Sequence, residues 1–302
     1  MFYERGNRKL EYTSLGKTGR KVSRIGFGGA TAGIRNYVHR FDPENGEDRR
    51  GVIEGIREAY KLGINYFDTA EGYGNGASES IFGEALAGIP PEEIFLATKV
   101  SPARKDEVRE AGDIRESLEN SLRRLRRDYI DLIQIHGSYY SDGKARAILK
   151  KGGVADTLQK AKDEGLVKFV GFTIEAQNTA LERFLDSGRF DTIQIQYNLL
   201  FQHPYDPYFT SGSLYTAKEN KLGVVAMRTV TSGIFQKWIQ MVNPANTFNY
   251  NPALIQFVLS NPLVDVALLG MRSAERVREN VAICNDLTGR INIKDLHYRI
   301  AD

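Results

Sequence analysis

Two kinds of apolar pattern alternate along the chain: short β-prone runs, and longer segments whose apolar positions recur at helical spacing. The short runs, at residues 25–28, 65–68, 94–99, 130–135, 167–172, 192–197, 223–227 and 265–269, predict eight strands. A helix is predicted over 49–62, with Val52, Ile53, Ile56, Ala59 and Tyr60 on one face. Others follow at 77–88, 114–127, 153–164, 176–187, 212–221, 252–260 and 273–284. Strictly alternating strands and helices imply a parallel sheet covered by helices, and eight repeats imply closure into a (β/α)8 TIM barrel. No linker interrupts the pattern, so residues 1–302 read as one domain.

Ahead of the first repeat, two short β-prone runs flank Gly16-Lys17-Thr18-Gly19 and predict a hairpin. Gly-Lys-Thr is not a phosphate loop here, because that motif needs glycine at position 11, which is Glu11. The glycines of Ile25-Gly26-Phe27-Gly28-Gly29-Ala30 are expected to let a ligand approach the backbone. A dinucleotide fingerprint does not fit them, since the third glycine is misplaced and residues 31–47 are polar and irregular. Two segments that follow strands are long, 137–153 and 229–251, and carry Tyr139, Tyr140, Phe235 and Trp238. Long loops at strand C-terminal ends wall the pockets of such barrels, so Tyr139 and Trp238 are expected substrate contacts.

Three successive strand runs each end on an ionisable residue. Tyr66-Phe67 stops at Asp68, with Tyr73 on the glycine-rich loop beyond; 94–98 stops at Lys99; 129–135 stops at His136. A carboxylate holding a buried lysine charged, and that lysine drawing the phenol pKa down from about 10, would make Tyr73 a proton donor. His136 would then orient the substrate oxygen or relay a proton.

Composition narrows the classes without choosing among them. With 41% hydrophobic and 26% charged residues the chain reads as soluble and globular, and a net charge of +3 is too small to argue for nucleic acid. The basic run Arg123-Arg124-Leu125-Arg126-Arg127, with Glu119 four residues before Arg123, reads as a solvated helix face. Cys284, the single cysteine, admits no intrachain disulfide and fits a reducing cytoplasm. The start of the chain, Met1 to Lys9, lacks the apolar core of a signal peptide, and no apolar run is long enough to span a bilayer. His39, His136, His203 and His297 lack ligand spacing, so no metal is implied.

The segment Asp68-Thr69-Ala70-x-x-Tyr73-Gly74, then Ser78-Glu79, Gly83-Glu84-Ala85-Leu86, Thr98-Lys99 and Ile135-His136, resembles the aldo-keto reductase family from about Leu15 to Asn280. The resemblance implies a (β/α)8 barrel whose N-terminal hairpin closes the bottom, and a catalytic tetrad of Asp68, Tyr73, Lys99 and His136. It implies hydride transfer between a carbonyl and a nicotinamide cofactor, usually NADPH, with NADH possible. Thr173 and Gln194, in Gly171-Phe172-Thr173 and Gln194-x-x-Tyr197, match positions that hold the nicotinamide carboxamide, although Ile174 replaces the family's asparagine. Met227 stands where many members stack a tyrosine on the ring, followed by Arg228 in place of a serine. Gly270, Arg272, Arg276, Glu279 and Asn280, with Ser273 as helix cap, match the adenosine end; a lysine common near Gly270 is missing. Reduction of an aldehyde or ketone is the leading expectation. Oxidation of a sugar or secondary alcohol at the same site, and a low-turnover nicotinamide sensor, are the alternatives, and the oligomeric state is open.

Overall fold

The computed structural model describes residues 10–105 and 107–296. The readings of Met1–Lys9 and His297 fall outside them. Eight parallel strands close into a barrel: β1 (Ile25–Gly28), β2 (Tyr66–Asp68), β3 (Phe95–Val100), β4 (Ile130–Ile135), β5 (Val167–Ile174), β6 (Thr192–Gln196), β7 (Gly223–Met227) and β8 (Val266–Leu269). Each lies beside its neighbour in sequence, and β8 pairs with β1 to complete the circuit.

Side chains alternate across each strand, so every strand serves two cores. Phe67, Leu96, Ile133, Phe172, Ile193 and Ile195 belong to the outer core shared with the helices. Tyr66, Phe95, Leu132, Val225, Val266 and Leu268 point into the barrel, with Phe169 packed against them. There Tyr66 stacks on Phe95 at 5.2 Å between ring centroids, and Phe95 on Phe169 at 6.1 Å. The interior is therefore a filled floor beneath the strand C-terminal ends, where the next inward positions are polar.

The N-terminal hairpin (Tyr12–Ser14 paired with Lys21–Ser23) seals the opposite end. Its Leu15 and Val22 join the interior cluster, and Lys17 donates its backbone N–H to the Lys221 carbonyl at 2.7 Å, just before β7.

Helices cover the outside as expected, with boundaries moved by caps. The first long helix, α1 (Gly46–Lys61), starts earlier than its apolar stripe because Asn45 Oδ1 accepts from the Glu47 and Asp48 N–H groups. The helix Ala111–Leu125 ends at Arg126, which adopts a left-handed conformation at φ 55°. Its basic run is only partly a solvated face. Arg124 pairs with buried Glu79, Arg127 donates to the Leu86 and Ile89 carbonyls, and Glu119 pairs with Arg115 rather than Arg123. Both long segments after strands contain helices that apolar patterning did not reveal, Asp142–Leu149 and Ile234–Val242; the second buries no residue fully. Cys284 is a buried free thiol in the last long helix, Ala274–Asn285. Among the described residues no helix is long and apolar enough to cross a membrane.

Candidate active site

The sequence placed Asp68, Lys99 and His136 at the C-terminal ends of three neighbouring strands, and the register brings them together. Asp68 is opposite Ala97 of β3, and Lys99 is opposite Gln134 of β4, two residues before His136. Lys99 and Asp68 are buried, and the Lys99 ammonium donates to Asp68 Oδ2 at 2.5 Å and to the Thr69 carbonyl at 2.7 Å. Burial alone would push the lysine pKa down, but Asp68 and Tyr73 outweigh it and the net shift is upward. Burial raises the Asp68 carboxyl, opposed by Lys99, by the hydrogen bond from Gln134 and, least, by the nearby amide of Gln194.

Tyr73 stands half-buried above this pair. Lys99 Nζ lies 4.9 Å from the centre of its ring, and the His136 ring meets it edge-on at 5.4 Å and 86°. The loop is pinned through its backbone: Tyr73 N–H donates to Ala70 O at 3.1 Å, and its own carbonyl accepts from Ser78 N–H at 3.2 Å. Gly74 is required next to it, because φ is +65° and a Cβ would sit 2.0 Å from the Gly33 carbonyl oxygen. Ser78 and Glu79 are structural. Ser78 Oγ donates to Gly29 O and accepts from Thr69 Oγ1, while Glu79 takes Thr98 Oγ1 at 2.5 Å and Arg124 Nε at 2.7 Å.

One electrostatic expectation is revised. The phenol of Tyr73 is raised above its ordinary pKa, not lowered: burial dominates, and the charge of Lys99 only partly opposes it. Burial, with Lys99 adding to it, pulls His136 down to about 3, so this imidazole is neutral at pH 7. Its single N–H can orient an oxygen by donating to it, and its other ring nitrogen is an acceptor.

Of the expected cofactor contacts, Gln194 is best placed. It is buried on β6 with Nε2 3.8 Å from the Met227 sulfur. Thr173 is committed elsewhere, donating to Gly137 O at 2.7 Å and accepting from Gly137 N–H at 2.9 Å. Arg228 pairs with Glu175 at 2.9 Å. Arg272 donates from Nε to Thr31 O at 2.7 Å and lies 4.2 Å over the Phe41 ring, while its Nη2 is buried without a protein partner. Thr31 Oγ1 is likewise buried and unpartnered, beside Gly270, where a Cβ would lie 2.8 Å from it. Ser273 caps its helix by accepting from Arg276 N–H at 3.2 Å. Arg276 is exposed and pairs with Glu279 at 2.5 Å, and Asn280 is buried.

Gly26 and Gly29, around the end of β1, are required by packing. A Cβ on Gly26 would lie 2.8 Å from both Leu268 and Tyr66, and one on Gly29 would lie 2.7 Å from the Asp68 carbonyl oxygen and Ser78 Oγ. The aromatics of the two long segments also divide. Tyr140 is a core residue, with its ring 5.1 Å from Phe184. Tyr139 and Trp238 are 66% and 55% exposed, and Trp238 meets Phe235 at 6.2 Å.

Sequence reasoning passed over Gln134, whose Nε2 bridges Asp68 Oδ1 at 3.2 Å and Gln194 Oε1 at 3.1 Å. Its signal was an amide on the inward parity of an apolar strand, in step with Leu132 and His136. Tyr37 was also overlooked; it is 40% exposed in the loop after β1 and adds slightly to the upward pressure on Tyr73.

Comparison with known proteins places this arrangement. The model of the Aldo/keto reductase family matches residues 24–254. L-galactose dehydrogenase of Arabidopsis thaliana is 28% identical over 92% of this chain and 89% of its own length. Among solved structures, an aldo-keto reductase from Bacillus halodurans in holo form superposes with a TM-score of 0.73 at 24% identity, covering 95% of this chain and 96% of that one. An aldo-keto reductase from Klebsiella pneumoniae in complex with NADPH gives a TM-score of 0.68 at 24% identity, with coverage of 95% and 93%.

Proposed function

Because the chain belongs to the Aldo/keto reductase family and is therefore an oxidoreductase, we propose that residues 1–302 act as one catalytic domain that reduces an aldehyde or ketone with NADPH. The observation that carries this reading is the stacked arrangement at the barrel mouth: a buried Asp68–Lys99 ion pair, a protonated phenol above it and a neutral imidazole at its edge.

The residues present fit a nicotinamide dinucleotide. The hydrogen bond that Gln194 Nε2 makes is to a weak sulfur acceptor, which a carboxamide oxygen can replace, and Met227 offers a polarizable face to a ring. Near the strand end of β8, Arg272 Nη2 and Thr31 Oγ1 are buried polar atoms without a protein partner, donors for which a phosphate would supply acceptor oxygens. When bound, the reduced cofactor supplies hydride to the carbonyl carbon.

The chain's own residues then handle the oxygen. Tyr73 donates its proton to the oxygen on which negative charge develops. Lys99 stabilises the phenolate left behind, and Asp68 keeps that lysine charged. His136, neutral, steers the oxygen towards the phenol through a hydrogen bond. A phenol held above its ordinary pKa is protonated at pH 7 and so carries the proton that reduction consumes, but it is a weak acid, which makes the stabilisation of its phenolate by Lys99 necessary.

The similarity to L-galactose dehydrogenase favours a second reading, oxidation of a sugar by the same groups run in reverse. Following reduced-nicotinamide absorbance while screening aldehydes and ketones one way, and aldoses and secondary alcohols the other, separates the two. Consumption of NADPH with a carbonyl is expected; turnover confined to aldoses with NADP⁺ would establish the second reading. Tight cofactor binding with no turnover on any of them would overturn both.

NADPH over NADH is part of the proposal, resting on Arg276 at the first turn of the last long helix. Its bond to Glu279 is an exposed pair, of the kind that contributes 0–1 kcal/mol and yields easily to a 2′-phosphate. Arg276→Met is expected to weaken NADPH binding by about tenfold or more, the scale of a charge-assisted hydrogen bond, with NADH nearly untouched. Fluorescence titration of both cofactors checks this, and an equal loss for both would move Arg276 out of phosphate recognition.

A further inference from the structure

Gln134 is fully buried at an inward position of β4, flanked in register by Lys99 on β3 and Gly171 on β5. Its Nε2 donates in two directions, to Asp68 Oδ1 at 3.2 Å and to Gln194 Oε1 at 3.1 Å. Only one orientation of this amide suits its neighbours. Turned over, its oxygen would face a carboxylate that Lys99 keeps ionised, acceptor against acceptor in a buried site. With its NH2 fixed in this way, the atom that Gln194 turns towards Gln134 has to be an oxygen. The NH2 of Gln194 is then directed the other way, to where the Met227 sulfur lies at 3.8 Å.

We infer that Gln134 is a positioning residue: it carries the charge of the Asp68–Lys99 pair into the amide orientation of Gln194, so that Gln194 meets its ligand as an N–H donor and selects an acceptor oxygen. This rests on the proposed function to the extent that the ligand is a nicotinamide, whose carboxamide supplies that oxygen.

Two further features support a role beyond filling space. The Oε1 of Gln134 is buried with no protein partner, a cost that an apolar side chain of equal volume would avoid. The neighbouring strand also makes room for it: a Cβ at Gly171 would lie 2.2 Å from Thr192 Oγ1 and 3.3 Å from Gln134 Cγ. The side chain of Gln134 thus occupies space that Gly171 leaves open, and it offers both of its N–H groups to the two halves of the site.

The test uses Gln134→Met, which removes both donors at nearly constant volume. In a crystal structure of the ligand-free variant, Gln194 is expected to turn and donate its NH2 to the vacated Asp68 Oδ1. NADP⁺ should then bind about threefold to tenfold more weakly, the scale of one neutral hydrogen bond, whereas 2′-phospho-ADP-ribose, which lacks the nicotinamide, should bind as before. An unmoved Gln194 with unchanged NADP⁺ affinity, or an equal loss for both ligands, overturns the inference. Should the wild-type chain fail to bind NADP⁺, the functional reading falls, while the ligand-free structure still decides the orientation of Gln194. Gln134→Glu covers the case in which methionine does not fold. A carboxylic acid donates one hydrogen bond when protonated and none when ionised, so NADP⁺ affinity of this variant should fall as pH rises, against a flat wild-type profile. A flat profile in the variant also overturns it.

Discussion

Tyr73→Phe is expected to lower turnover by about 10²–10⁴, the range for removing a general acid, while leaving cofactor affinity little changed. The substitution deletes one oxygen and keeps the ring. That ring holds its place through the edge of His136 at 5.4 Å and the ammonium of Lys99 at 4.9 Å, and the loop is tied by backbone bonds at Ala70 and Ser78. Fold and pocket shape should therefore survive, and Lys99 retains Asp68 and the Thr69 carbonyl as acceptors. The measurement is steady-state turnover on a carbonyl whose chemical step is rate-limiting, established by a primary isotope effect with deuterated cofactor. Turnover near that of the wild type under those conditions would remove Tyr73 as the proton donor. In the wild type, the reductive rate should be flat through neutral pH and fall only as pH rises through the elevated phenol pKa.

Much of this arrangement was legible because it depends on parity. Once a run is a strand, residues two apart share a face, so Asp68 above Tyr66, Lys99 above Ala97 and Phe95, and His136 above Gln134 and Leu132 point inward together. Eight such runs separated by helical stretches leave few topologies other than a closed parallel barrel. The hairpin followed from two β-prone runs, and the Ser273 cap from one hydroxyl before a helical pattern.

What failed to show in the sequence depends on contacts between distant segments. Gly26 and Gly29 look like part of a ligand cradle until Leu268, Tyr66 and Ser78 are found occupying the space beside them. Arg228 looks like a free cation until Glu175 claims it, and Arg272 until its Nε is found on the Thr31 carbonyl, which leaves Nη2 without a protein partner. Tyr139 and Tyr140 are adjacent in sequence, yet one is exposed and the other lies in the core beside Phe184. The sign of the Tyr73 shift needed the balance between burial and Lys99, and charge alone gives the wrong direction. Gln134 escaped notice because an amide carries no charge to draw attention, and its partners come from two other strands.

Lys99→Met is expected to cost about 3–5 kcal/mol of stability as well as most of the activity, because it leaves the buried Asp68 carboxylate without its cation. The two losses have separate origins and can be separated. Stability suffers through Asp68, whose carboxyl burial already raises; with Lys99 gone, that pKa climbs further. A carboxyl whose folded pKa lies above its unfolded value destabilises the fold fully above the folded value and not at all below the unfolded value of about 3.9. The deficit of the variant relative to wild type should therefore shrink as pH falls towards that value. At the alkaline end the sign reverses its source: the raised Lys99 pKa contributes stability to the wild type below about 10.4, lost only as pH rises through the folded value. Adding Asp68→Asn to Lys99→Met removes the stranded charge and should recover much of the stability, with no return of turnover, since nothing then stabilises the phenolate of Tyr73. Denaturant unfolding of wild type, both single variants and the double variant across pH measures the coupling. Additive losses with no recovery in the double variant, or a deficit that does not change with pH, would mean that the 2.5 Å pair does not hold Asp68 in its charged state.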